Sequence, residues 1–369
     1  MNRLTGVLQT LLTRRLVLSF DKIDFVYPRL SGRRLRNWLL AELAWILKSD
    51  KVWAYPTLLQ VEPGNVCNLR CPVCHTVTDG KPQGFLRREG FQSLMDEVGE
   101  EILFLHFWGW GEPFMNKDFF SMVKVAKAKG VRIVSSTNGH FFESQGNIDK
   151  LIDSGLDVLI VALDGTDPET YEKYRRQGDF GRVLSGLKQL VRRKRERGAG
   201  SPRINLRMLV TRENEDQVDR MKALARELGV DIFSLKTLCS FDNEAEGSEL
   251  LPCRPEFRRF SYGPDGEPVR QENTCKKFWN HPTVYRDGTV VLCDYHTGND
   301  FSLGNVFNPD GRADFGRIWF GRDFRRVRAQ FLKGDRRGMR CDTCALNFAG
   351  VDRCVSHVFP IQGEGVRGS

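Results

Sequence analysis

Val66-Cys67-Asn68-Leu69-Arg70-Cys71-Pro72-Val73-Cys74 is the stretch on which the reading of this chain turns. Its cysteines are spaced CxxxCxxC. Three thiolates at that spacing can hold three corners of a four-iron cube and leave the fourth iron without a protein ligand. A structural zinc site is closed by a fourth ligand. Zinc knuckles also tend to pair two CxxC units, and no second pair stands near this loop. The loop therefore predicts an iron–sulfur centre with one open position.

Working outward, TLLQVEP (57–63) reads as a strand that delivers the chain into the loop. Phe91, Leu94, Met95 and Val98 recur at helical spacing. ILFLHFW (102–108) is a continuous apolar run, the sign of a strand buried on both faces. Phe119, Met122, Val123 and Ala126 mark the next helix, stopped by Gly130. VRIVSST (131–137) and DVLIVAL (157–163) read as strands, and Phe180, Val183, Leu184, Leu187 and Val191 as a long helix. RINLRMLV (203–210) is the next strand. Asn214 predicts the N-cap of a helix carrying Val218, Met221, Ala225 and Leu228, and DIFSLKTL (231–238) closes the series. About six β/α units imply a parallel sheet with helices outside, doubly wound or a partial barrel. In barrel folds the active site lies at the carboxyl ends of the strands, the face on which the cysteine loop falls.

The alternation stops near Ser240. Residues 241–274, rich in Glu, Gly, Pro and Asn, read as a linker or insertion, and the chain from Cys275 is cysteine-rich with short strand signals. Ahead of the barrel, Leu4, Val7, Leu8, Leu11 and Leu12 repeat at helical spacing. RLRNWLLAELAWIL (34–47) carries Leu35, Leu39, Leu43 and Ile46 on one side, with Trp38 and Trp45 close by. Such helices pack on a core or lie at a membrane interface. No apolar stretch is long enough to span a bilayer. The 369 residues carry a net charge of +9, with basic segments at 192–195 and from Arg317 to Arg340. That charge suits a solvated surface or an anionic partner: a phosphorylated substrate, a membrane surface or an acidic electron donor. No nucleic acid is expected. Ten cysteines in metal-type spacings, with no secretory signal, place the chain in a reducing cytoplasm, with the inner membrane face as a peripheral location.

Four motifs stand in order on this frame: CNLRCPVC (67–74), WGEP (110–113), STNG (136–139) and ALDG (162–165). With them the chain resembles the radical SAM superfamily, specifically members with a C-terminal SPASM or twitch extension. Trp110 replaces a glycine of the family motif, and Ala162 stands where serine is common. The resemblance implies a partial (β/α)6 TIM barrel over 56–240, preceded by an amphipathic helical extension over 1–55. It also implies an auxiliary cluster domain over 275–358, after the linker over 241–274, and the remaining 359–369 reads as a disordered tail. It implies S-adenosylmethionine (SAM) bound at the cluster of Cys67, Cys71 and Cys74, with a flavodoxin or ferredoxin-type electron donor.

Gly111, Glu112 and Pro113 end strand two, where backbone carbonyls can meet the SAM ammonium. Glycine allows close approach there and proline stiffens the turn. Thr137 and Asn138 are placed to reach the ribose. Cys275, Gly288 and Cys293, followed by Cys341 and Cys344, fit the SPASM/twitch opening. Position 350 is Gly and no cysteine follows Cys354, so one auxiliary four-iron cluster is expected. Its ligands are Cys275, Cys293, Cys341 and Cys344, with Cys354 taking one place in a different arrangement. A four-cysteine zinc site is the alternative. Cys239 and Cys253 have no spacing partner. Asp294, directly after Cys293, is the candidate general base, or else caps a turn or pairs with an arginine. Tyr295, His296 and His281 are softer candidates.

The leading expectation is an enzyme that cleaves SAM to a 5′-deoxyadenosyl radical and oxidises or rearranges a small-molecule, sugar or lipid-linked substrate. A peptide or protein maturase is the alternative, and a non-catalytic iron–sulfur or zinc scaffold the third.

Overall fold

The computed structural model describes residues 3–74, 76, 82–239, 249–271, 275–294, 301–339, 341, 344–349 and 355–362. Cys354, Tyr295 and His296 lie outside them. The chain opens with helix α1 (Arg3–Thr13), then strands β1 (Leu16–Phe20) and β2 (Ile23–Tyr27), then helix α2 (Gly32–Ile46). The two strands form an antiparallel hairpin, with Phe20 opposite Ile23. Both helices of the expected 1–55 extension are present, and the hairpin between them was not expected. The turn residues Asp21 and Lys22 take φ of 50° and 62°. Such two-residue turns usually declare themselves by Asn-Gly or Asp-Gly, and here neither is present. Helix α2 is capped by the Ser31 side chain, which accepts Arg34 N–H at 3.2 Å. It buries Asn37, Trp38, Ala41, Ala44 and Trp45 and leaves Leu43 and Ile46 exposed. The tryptophan face meets the protein with Leu35 and Leu39 packed beside it, while the Leu43 and Ile46 end of the stripe does not.

Six parallel strands follow, separated by helices: β3 (Leu58–Val61), α3 (Arg88–Val98), β4 (Phe104–Phe107), α4 (Phe119–Ala128), β5 (Arg132–Thr137), α5 (Gln145–Ser154), β6 (Val158–Ala162), α6 (Pro168–Tyr174), α7 (Phe180–Glu196), β7 (Arg203–Val210), α8 (Val218–Leu228) and β8 (Ile232–Thr237). They pair in sequential order, and β3 does not pair with β8, so the barrel is open. Alternate strand residues divide between two layers. Leu59, Leu105, Phe107, Ile133, Leu159, Val161, Ile204 and Leu206 join the helix-side core. Phe104, Val134, Val158, Ile160 and Ile232 face the other way, into the barrel. Asn214 does not cap α8. Gln217 holds that position, while the Asn214 side chain accepts Thr211 N–H and donates to the Asp164 and Leu209 carbonyls.

The hairpin occupies the lower half of the barrel. Ile23 and Phe25 are buried among the inward residues, and the Phe25 ring meets Phe104 edge-on at 4.5 Å. Burying such side chains contributes about 1.5–3 kcal/mol each. At the strand beginnings Arg132 and Arg203 donate to the Val26 and Asp24 carbonyls, and the Tyr27 hydroxyl donates to the Leu103 carbonyl.

The C-terminal region supplies α9 (Lys277–Asn280), β9 (Thr283–Val284), β10 (Val290–Val291), α10 (Phe315–Trp319), α11 (Arg322–Leu332) and β11 (Val355–Pro360). Strand β9 pairs parallel to β3, and β11 pairs antiparallel to β8. Among the described residues, one nine-stranded sheet therefore runs from β10 to β11. Phe359 and Pro360, expected in a disordered tail, belong to β11, whose apolar residues complete the sheet edge.

Candidate active site at the strand ends

The cysteine loop leaves β3 and lies against the WGEP turn. A Cβ on Gly111 would stand 2.4 Å from the Gly64 carbonyl oxygen and 2.8 Å from that of Val66, so only glycine permits this contact. Glu112 N–H donates to the Val66 carbonyl at 2.8 Å. The buried Glu112 carboxylate accepts from Phe114 N–H (3.2 Å), Thr137 Oγ1 (2.8 Å) and Asn138 N–H (2.7 Å). Burial pushes its carboxyl up to about 7 despite these donors. Pro113 is buried and opens a single 3-10 turn. Asn138 Nδ2 donates to Asn68 Oδ1 at 2.8 Å and lies 4.0 Å from Cys67 Sγ. Thr137 and Asn138 thus tie the WGEP turn and the end of β5 to the cysteine loop.

Cys67, Cys71 and Cys74 gather with Leu69, Tyr174, Leu209 of β7 and Leu238. Cys67 Sγ accepts Leu69 N–H at 3.4 Å. Arg175 Nη1 stands 3.7 Å from Cys71 Sγ, and Arg175 Nε donates to Asp164 Oδ2 at 2.5 Å. Asp164 is the acid of the ALDG motif, and its other oxygen accepts Leu209 N–H at 2.6 Å. Burial pushes the Cys67 thiol up to about 11 and raises Cys71. A buried thiol holds its proton unless a metal draws it off, so a soft three-sulfur set beside a guanidinium fits an iron–sulfur cluster. Among the described residues, no three His, Cys, Asp or Glu side chains close on one point as a single ion requires. A cube spreads its thiolates over separate irons.

The second cysteine set repeats the local design. Cys275 Sγ accepts Lys277 N–H at 3.4 Å, and Cys344 accepts Leu346 N–H, each two residues on, as at Cys67. Burial pushes Cys275 up to about 11 and raises Cys344, and each feels Asp294. Cys293 and Cys341 are buried, and Cys253 is exposed. No disulfide forms among the described cysteines.

Asp294 pairs with Lys277, not with a surface arginine. Its charge acts on His106 on the inner face of β4 as well as on Cys275 and Cys344, so it lies near both. His106 meets His281 edge-on at 4.8 Å and stacks on Trp108 at 4.8 Å. Both ring nitrogens of His106 and Nε2 of His281 are buried without a hydrogen-bond partner. Burial holds both imidazoles well below the ordinary His range. Sequence reasoning missed His106, Lys277, Asp164 and Arg175. His106 had a signal: it is the one titratable residue in an otherwise apolar strand. Asp164 was quoted within its motif without a role.

Residues 61–225 match the family model for the radical SAM superfamily, and residues 275–345 match that for an iron–sulfur cluster-binding domain, SPASM. A tungsten-containing aldehyde ferredoxin oxidoreductase cofactor-modifying protein of Pyrococcus furiosus is 26% identical over 282 residues, 67% of this chain and 77% of that protein. An AdoMet-dependent heme synthase of Methanosarcina barkeri is 30% identical over 202 residues, 53% of this chain and 55% of that protein. Among solved structures, Streptococcus suis SuiB bound to S-adenosylmethionine superposes with a TM-score of 0.58 at 13% identity, over 78% of this chain and 71% of that one. SuiB has also been solved bound to the precursor peptide SuiA. The motif-bearing strand ends and the second cysteine set each coincide with a matched model: the chain carries a radical SAM domain, the mark of an enzyme family using S-adenosylmethionine and four-iron clusters, and a C-terminal SPASM domain.

Proposed function

We propose that the chain binds S-adenosylmethionine at the open iron of a cluster held by Cys67, Cys71 and Cys74, and oxidises or rearranges a small, cofactor-type substrate inside the barrel. When bound, these cofactors supply a 5′-deoxyadenosyl radical that takes a hydrogen atom from the substrate. The residues do the rest. The Gly111–Pro113 turn offers backbone carbonyls to the SAM ammonium, while Glu112, Thr137 and Asn138 brace the loop. Cys275, Cys293, Cys341 and Cys344, with Cys354 as the alternative, hold the auxiliary cluster. Asp294 would take the proton that the substrate gives up on oxidation, and the auxiliary cluster would supply the electron acceptor. The observation that supports this reading is the nearness of the Asp294 charge to Cys275 and Cys344 and also to His106. The cofactor-modifying and heme-synthase relatives support a small substrate.

The test is 5′-deoxyadenosine formation by anaerobically reconstituted protein under reduction. Wild type should form it and the Cys67→Ala, Cys71→Ala, Cys74→Ala triple variant should not. Equal yields would sink the reading.

A peptide substrate is the second reading, supported by the likeness of fold to SuiB. Stimulation of 5′-deoxyadenosine formation by a short peptide encoded beside the gene would favour it. The electron donor is proposed to be a flavodoxin or ferredoxin. Among the described residues no helix is long and apolar enough to cross a membrane. Exposed Leu8 and Leu12, near Arg14 and Arg15 in sequence, and exposed Ile46 and Leu47 support a peripheral membrane contact, which vesicle co-sedimentation checks.

A further inference from the structure

We propose that the tip of the N-terminal hairpin and Arg207 of β7 form an anion subsite at the floor of the barrel interior, and that it takes a carboxylate of a ring-bearing substrate. The hairpin enters at the strand beginnings and rises inside the sheet. Its tip meets the inner wall at mid-height. Phe20 lies 4.1 Å from the His106 ring and 5.8 Å from Trp108. Asp21 Oδ2 pairs with Arg207 Nη2 at 2.8 Å, with side-chain exposures of 11% and 9%. Lys22 Nζ donates to the Ser356 carbonyl at 2.8 Å, fixing the tip to β11.

A planar guanidinium has five N–H donors in a fixed fork. Arg207 Nε donates to Ser234 Oγ at 3.1 Å, and Nη2 serves Asp21. With the Asn205 amide turned to suit its neighbours, Nη2 also serves that oxygen at 3.2 Å. Nη1 has no protein partner among the described residues, and it is absent from the buried unpaired atoms. The two N–H groups of Nη1, left over on a nine-tenths buried arginine, are donors that a carboxylate can take. Arg207 lies opposite Ala162 in the sheet and one inward position before Leu209, which packs on the cluster cysteines. Lys236 follows Ser234 on the inner face of β8 by strand alternation. Lys22, Arg207 and Lys236 therefore set three positive charges against Asp21. Phe20 and Trp108, both half-buried, offer an aromatic wall. The unpartnered nitrogens of His106 and His281 beside that wall point to a further polar group of the ligand.

This subsite rests on the radical SAM reading only for what happens above it. SAM carries a carboxylate too, so the experiment separates the two sources. Calorimetry on reconstituted holoenzyme with SAM present would use benzoate as probe and benzamide as the uncharged control. Benzoate should bind about tenfold or more tighter than benzamide, and Arg207→Gln should erase that preference. Asp21→Asn, nearly isosteric, should tighten benzoate several-fold, because Arg207 loses its neutralising partner. A purely structural ion pair would not give that gain. Equal binding of the two probes, or no binding, overturns the subsite. So does an Arg207→Gln variant that keeps benzoate affinity and loses SAM affinity, which would assign the fork to SAM. Loss of 5′-deoxyadenosine formation in wild type would instead strike the radical SAM reading and leave the binding result standing.

Discussion

At the scale of single residues, the site is built from groups whose ordinary chemistry is held in check by burial. Cys67 and Cys275 are thiols pushed up to about 11, which a metal must deprotonate. Replacing Cys67, Cys71 and Cys74 by Ala should lower the iron of reconstituted protein from about eight to about four per chain, since each four-iron cube is held by its own cysteines. Iron and sulfide analysis reads this, and one zinc with four irons in wild type would remove the auxiliary cluster. His140 shows the same restraint. Its Nε2 accepts Asp179 N–H at 2.9 Å, and its Nδ1 lies 3.0 Å from Asn138 Oδ1, so the neutral ring joins the end of β5 to the start of α7. Burial, helped by Arg182, lowers its pKa. A depressed pKa means that the stabilisation is present above the unfolded value of about 6.5 and is lost as pH falls through the folded one. The melting-temperature gap between wild type and His140→Leu should therefore narrow on going from about pH 7.5 to about pH 5. A gap that widens would contradict this.

At the scale of elements, the N-terminal hairpin is where structure and sequence part company. The barrel strands and most of their helices were legible because apolar runs and helical spacing survive in a buried parallel sheet. The four motifs marked the strand ends for the same reason: each is a turn that a strand must make. LVLSF and IDFVY are five residues each, joined without glycine, and lie between two strong helical patterns. Their partner is the inside of a distant sheet, and no local spacing encodes that. The site was legible where ligands are close in sequence, as at Cys67–Cys74. It was not where Arg175 meets Asp164, or where His106 meets His281 from a distant part of the chain. If the hairpin is a structural plug, Phe25→Ala should cost about 3–5 kcal/mol, the usual range for a buried phenylalanine. Denaturant titration of the metal-free protein measures this, and a loss below about 1 kcal/mol would make the hairpin an appendage.

At the scale of the whole molecule, the barrel and the SPASM region are one sheet. Strand β9 covers the β3 edge and β11 covers the β8 edge. Glu97 of α3 adds a clamp, accepting Phe315 N–H at 2.8 Å and Gly316 N–H at 2.7 Å at the start of α10. A chain ending at residue 274 would expose both edges, an invitation to edge-to-edge pairing. It should elute as aggregate on size exclusion, whereas a monomer retaining a four-iron cluster would show that the barrel stands alone.

The shared sheet has a further consequence. The cysteine loop leaves the end of β3, and Cys293 is the second residue after β10, with only β9 between those strands. The proposed ligands of the two clusters thus hang from one hydrogen-bonded lattice, not from two hinged bodies. Electron tunnelling falls steeply with distance, so a hinge between donor and acceptor would make every turnover wait for a favourable pose. With clusters held by both cysteine sets, the gap between them would be set when the chain folds, and any transfer between them would answer to their potentials alone.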